Sequence, residues 1–93
     1  MNDSLENQIK KVINILEKDY KLQITNGGYI EEIYNNYKQA FQIIKSKKNL
    51  EEIKILGYTK GYTMNFSDYN TPLLREMWEA EKQLSEFKRK NFK

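Results

Sequence analysis

Apolar residues in this chain recur at steps of three and four over three long stretches, and glycine and proline fall between those stretches. The chain is thereby committed to helices. Leu5, Ile9, Val12, Leu16 and Tyr20 lie on one stripe of a helix predicted over about residues 4–24. Asp3 stands three residues before Glu6 in the manner of a capping box, and Asn26-Gly27-Gly28 supplies the left-handed geometry that stops the helix. Ile30, Ile33, Tyr37, Ala40 and Ile44, widened by Tyr34 and Phe41, predict a second helix over about 29–47. Its first turn holds Glu31 and Glu32 and its last Lys45, Lys47 and Lys48, which suits the helix dipole at both ends. Leu73, Met77, Ala80, Leu84 and Phe87 predict a last helix over about 72–90, capped by Thr71, opened by Pro72 and closed by the basic Lys88-Arg89-Lys90.

The stretch between the second and last helices supports two readings. Asn49 followed by Glu52 reads as an N-cap with its reciprocal partner, and Leu50, Ile53, Gly57 and Met64 share a helical face, so a third helix is predicted over about 50–65. Ile53 to Tyr58 and Tyr62 to Phe66 are also rich in strand formers, and a turn at Thr59-Lys60-Gly61 would make them a β-hairpin. The helix is preferred because an isolated two-stranded hairpin has no further strand here to complete a sheet. Two glycines in that helix cost roughly 1 kcal/mol each against alanine. Gly57 and Gly61 stand four apart, so the expected compensation is close approach of a neighbouring backbone to that face. Ser67-Asp68-Tyr69-Asn70 reads as a polar turn. The expectation is an all-α fold, one helical domain over residues 1–93, packed as a small antiparallel up-down four-helix bundle.

Ninety-three residues suffice for one modest core and not for two. With 39% hydrophobic and 31% charged residues and a single proline, the composition is that of a globular protein rather than a disordered tail. There is no cysteine, so disulfides do not contribute and packing must supply the stability. No apolar run approaches the roughly 20 residues that cross a bilayer, and Met1-Asn2-Asp3-Ser4 is unlike a signal peptide, so a cytoplasmic protein with no membrane span is expected. Lysine, asparagine, isoleucine and tyrosine are abundant, as in coding from the AT-rich genome of a bacterium or its phage.

The absence of histidine as well as cysteine removes the residues on which most nucleophilic, acid–base and transition-metal chemistry relies. The adjacent pairs Glu31/Glu32 and Glu51/Glu52 diverge around a helix by about 100° and read as partners of the dipole rather than a catalytic dyad. Glu76, Glu79 and Glu81 form no Glu-x-x-His pair, and no phosphate-binding glycine loop is present. No catalytic residue, no metal ligand and no cofactor are therefore assigned, and the chain is not expected to be an enzyme.

Binding is the remaining class, and the aromatic residues carry it. Tyr37, Phe41 and Phe87 fall on the core stripes, whereas Tyr58, Tyr62, Tyr69 and Trp78 cluster at the junction of the third and fourth helices. Lys60, Asp68 and Arg75 stand at its rim. Tyr and Trp bury much area at little entropic cost, which favours a protein-binding hot spot, although a small bundle also uses such rings at its half-buried rim. The alternatives are a regulator whose Lys54, Lys60 and Arg75 flank bases stacked on the same rings, and a homo-oligomer assembled through the Gly57/Gly61 face. Nucleic acid is the less favoured partner, because the net charge is only +3 and 14 of the 16 basic residues are lysine, leaving two arginines.

At Asp68-Tyr69-Asn70-Thr71-Pro72-Leu73-Leu74, continued by Glu76-Met77 and Glu81 after Gly57-Tyr58 and Gly61-Tyr62, the chain resembles small cytoplasmic immunity proteins of bacterial polymorphic and contact-dependent toxin systems. The resemblance spans about residues 57–81. It implies a protein that binds one cognate toxin domain tightly and blocks its active site or docking surface without turnover of its own.

Overall fold

The computed structural model describes residues 3–46, 52–65 and 71–91, and all of its regular structure is helical. Five helices follow in order: α1 (Asp3–Asp19), α2 (Lys21–Thr25), α3 (Tyr29–Lys45), α4 (Tyr58–Asn65) and α5 (Pro72–Asn91). No strand occurs among the described residues, so the hairpin reading is set aside. The expectations at Asn49, Ser67, Asp68, Tyr69 and Asn70 lie outside the described residues.

The three apolar stripes are the core. Leu5, Ile9, Val12 and Leu16 of α1, Ile30, Ile33, Tyr37, Ala40 and Ile44 of α3, and Leu73, Met77, Ala80 and Leu84 of α5 are all buried in one cluster. Helix α1 packs against both α3 and α5, while α2 lies on α3 and α4 on α5. The α1–α5 seam has polar stitching as well. Buried Gln8 donates from Nε2 to the Glu76 carbonyl oxygen at 3.0 Å and to its Oε1 at 2.5 Å, and Ser4 Oγ donates to Gln83 Oε1 at 2.9 Å. A buried amide with partners avoids the desolvation penalty that an unpaired one carries.

Helix boundaries follow the expected caps at Gly27 and Gly28, whose φ values of 79° and 100° only glycine adopts without strain, and at Thr71, whose Oγ1 accepts from Leu74 N at 3.2 Å. Two predictions need correction. The helix expected over 4–24 is interrupted at Tyr20 (φ −125°, ψ 26°), which divides it into α1 and the five-residue α2. No helix-breaking residue stands there. The break accompanies a tertiary contact, in which the half-buried Tyr20 directs its hydroxyl to within 3.4 Å of that of Tyr62.

The helix expected over 50–65 is the second correction, since only Tyr58–Asn65 is α-helical. Residues 53–55 are non-helical with Ile53 and Ile55 buried and Lys54 exposed, and Gly57 has a φ of 96°, which no right-handed helix contains. Gly57 caps α4 instead, its carbonyl accepting from Gly61 N at 2.9 Å. The two glycines therefore do not share a helical face. What approaches Gly61 is a side chain rather than a backbone: an added Cβ would overlap the Tyr29 hydroxyl and stand 2.8 Å from its Cζ. The Gly61 face is thus met inside the fold by the Tyr29 phenol, while Gly57 has open space beside it.

The hydroxyl of Tyr37 is buried without a hydrogen-bond partner among the described residues. Removing it relieves a desolvation penalty, so Tyr37→Phe is expected to be neutral or to stabilise by about 1 kcal/mol in urea denaturation, whereas Tyr37→Ala should cost about 3–5 kcal/mol. A loss of stability in Tyr37→Phe would mean that the hydroxyl has a partner.

Candidate functional site

The region predicted to bind a partner is built on α4, and α4 is held by α5. The Glu81 carboxylate accepts from the backbone N–H of Gly57 (3.1 Å) and of Thr59 (2.7 Å) and from the Thr59 hydroxyl (2.7 Å). An eight-residue helix thus receives its N-terminal cap from another helix, in the place where a carboxylate also meets the positive end of the dipole. Glu81 fixes the start of α4, and only residues 66–70 separate its end from Thr71. Helix α4 packs against α5 from that fixed start.

The inner face of α4 is a tyrosine cluster. Tyr58 donates its hydroxyl to Glu32 Oε2 and accepts from Asn36 Nδ2, both at 2.9 Å, and its ring meets that of Tyr29 edge-on with centroids 5.7 Å apart. Burial, followed by the bond to the Glu32 carboxylate, pushes the Tyr58 phenol up to about 12. Burial likewise raises Tyr29 and holds Tyr37 well above the ordinary tyrosine range, with Glu81 adding to both.

Of the residues expected to contact a partner, Tyr62 is displaced most. It is 1% exposed and packs in the core, because α4 begins at the Gly57 cap and turns this ring inward toward Tyr20. Tyr58 is half-buried, while Lys60 and Arg75 are exposed. Trp78 is 54% exposed, with Lys82 Nζ lying 5.3 Å from the centroid of its ring. Asp68 and Tyr69 lie outside the described residues. On and beside α4 two further apolar side chains are exposed, Leu56 at 47% and Met64 at 76%, and on α2 Leu22 is exposed at 76%; periodicity singled out none of them as contacts. Met64 follows Lys60 by four residues, so both stand on the outward side of α4. Exposed alternation of large apolar and cationic groups was the signal, and the assumption of a longer helix hid it by placing Met64 on a buried face.

An open groove of about 300 Å³ between the end of α1, α2 and α3 was not legible in the sequence. Glu17, Lys21, Ile24, Thr25 and Tyr34 line it, with the Tyr34 hydroxyl donating to Glu17 Oε2 at 2.7 Å. It exists because the chain turns at Tyr20, and nothing in the local sequence marks that turn. Among the described residues no group of three or more acidic side chains is arranged to hold a metal ion, and no helix is long and apolar enough to cross a membrane.

A family profile described as "YeeD uncharacterised protein" matches residues 1–91. The chain belongs to the YeeD family. No curated protein and no solved structure matches it. In this YeeD-family chain the family match covers all five described helices.

Two outcomes are expected from this geometry. Glu81→Ala removes three charge-assisted bonds at the α4 N-terminus and should lower stability by about 2 kcal/mol, read as a fall in the urea midpoint, while Glu81→Asp recovers only part of it. For the tyrosines, a folded pKa raised above 10.0 means that the fold favours the neutral phenol. That contribution is complete below pH 10 and is lost as pH rises through the folded value of about 12 for Tyr58. Melting temperature should therefore be insensitive to these groups below pH 10 and drop between 10 and 12, with tyrosinate absorbance rising in the same window. In Tyr58→Phe the drop should be shallower.

Proposed function

We propose that this chain is a cytoplasmic, non-catalytic protein-binding module that acts by stoichiometric occlusion, and that its partner is a bacterial toxin domain which it neutralises as an immunity protein. The observation that carries the binding reading is Trp78. A tryptophan left half-exposed on a helix otherwise well packed, and held under a lysine ammonium, is the kind of rigid amphipathic anchor that dominates protein interfaces. Arg75 stands exposed on the same helix three residues before it, and Lys60, Leu56 and Met64 are exposed on or beside α4. The resemblance of residues 57–81 to immunity proteins supports the choice of a toxin as the partner. In the same reading α1, α3, α4 and α5 form an antiparallel four-helix arrangement whose fourth member is half-length.

The test is to purify the chain together with the toxin domains encoded beside it and to measure association by calorimetry and gel filtration. A one-to-one complex that persists in high salt and survives nuclease treatment is expected, with protection of cells that express the toxin. Trp78→Ala should weaken the complex by about 2 kcal/mol or more while circular dichroism and the urea midpoint remain unchanged. Failure of every such domain to associate, or an undiminished affinity in Trp78→Ala, would overturn this assignment. Binding to nucleic acid that falls steeply with salt would replace it with a regulator.

A further inference from the structure

The chain has 2 arginines among its 16 basic residues, and both lie on the same stripe of α5. Arg75, Lys82 and Arg89 are seven residues apart. On a helix that spacing returns to nearly the same face, drifting about 20° per heptad, and advances about 10 Å. Trp78 stands on the flank of this row, between Arg75 and Lys82. Arg75, Trp78, Lys82, Ser85 and Arg89 are all exposed.

The other sides of α5 are occupied. Leu73, Met77, Ala80 and Leu84 enter the core, Glu76 and Gln83 meet α1, and Glu81 holds α4. Three of the four acids of this helix are engaged elsewhere, since Glu76 accepts from Gln8, Glu81 from α4, and Glu79 Oε2 from Gln83 Nε2 at 3.1 Å. Glu86 remains exposed beside the row, four residues after Lys82 and three before Arg89. What faces outward is one tryptophan and three cations in heptad register over about 20 Å, with Ser85 and the single exposed acid Glu86 between Lys82 and Arg89.

We propose that this stripe docks an acidic amphipathic helix of the partner, with carboxylates at heptad spacing meeting Arg75, Lys82 and Arg89 and an apolar residue seated on Trp78. The inference rests on the protein-binding reading above and specifies the chemistry of the partner. Two helices that pack at a shallow angle meet at residues seven apart, and charged residues flanking the apolar seam select the partner. Arginine is suited to that place because its planar fork pairs with a carboxylate through two bonds. A second copy of the same stripe would set three cations against three, so charge disfavours self-pairing. Nucleic acid fits less well, because a single ring gives no stacking series and a net charge of +3 over the whole chain provides little long-range attraction.

Trp78 is the single tryptophan of the chain, so its fluorescence reports directly on the stripe. The probe is a synthetic amphipathic peptide with leucine on its seam and glutamate at every seventh position, titrated into the intact protein beside a scrambled peptide and one with lysine for glutamate. Saturable change in Trp78 emission with the glutamate peptide alone is expected. R75E/R89E should weaken binding at least tenfold, and the lysine peptide should bind that double variant, a rescue that general loss of folding would not produce. Equal response to the scrambled peptide, no response, or no rescue overturns the proposal. So does a saturable response to a single-stranded oligonucleotide with none to the peptide. If the toxin complex forms and depends on Trp78 but is unaffected by R75E/R89E, the protein-binding reading stands and this one falls. If no protein complex forms at all, the earlier reading fails on its own.

Discussion

Helix α4 is eight residues long, too short to persist in water by its own hydrogen bonds, and its sequence carries Gly61 and two threonines, Thr59 and Thr63, that weaken a helix further. Its existence therefore has to be imposed from outside, and the Glu81 carboxylate does this from α5 through three bonds to Gly57 and Thr59. Everything distinctive in the C-terminal half depends on that anchor. With the first turn fixed, Tyr62 enters the core, Tyr58 reaches Glu32 and Asn36 on α3, and Gly61 admits the Tyr29 phenol. The outward side of α4 then has no choice but to present Lys60 and Met64.

The sequence made three of the elements legible because their signal is additive. Each of α1, α3 and α5 repeats its apolar stripe over several turns, and a single misplaced residue would not have hidden the period. The third element lacked that redundancy. Its apolar residues follow two rules in succession, alternation at Ile53 and Ile55 and then one short helical face at Tyr58 and Tyr62, so a helical reading and a hairpin reading each fitted part of it. The residue that decides the matter, Glu81, lies 22 and 24 positions beyond the groups it binds, a distance that no local pattern conveys. Tyr20 illustrates the same limit, since its break accompanies a hydroxyl 42 residues away.

The candidate site was legible in part for a related reason. Aromatic residues were visible as a cluster, but whether a ring faces in or out depends on helix phase, and phase was set by where α4 begins. Trp78 and Arg75 lie on α5, whose phase was unambiguous, and they stand on its exposed side. Tyr62 lies on α4, and a start moved to Gly57 turned it from rim to core. The cluster thus divides in space: Tyr58 ties α4 to α3 and Tyr62 enters the core, whereas Trp78 stays on the surface with the Lys82 ammonium over its ring.

The seam between α1 and α5 joins the two most distant helices in the chain, as the Ser4 to Gln83 and Gln8 to Glu76 bonds show. During synthesis α1 is complete long before α5 exists, by roughly 4 to 14 s at about 5–20 residues per second. Over that interval α3 can cover only one flank of the α1 stripe, and Gln8, Ile9 and Val12 wait for a surface that has not been made. The nascent chain is in that respect a different molecule from the finished one, with the α5-facing side of α1 uncovered until α5 has left the exit tunnel.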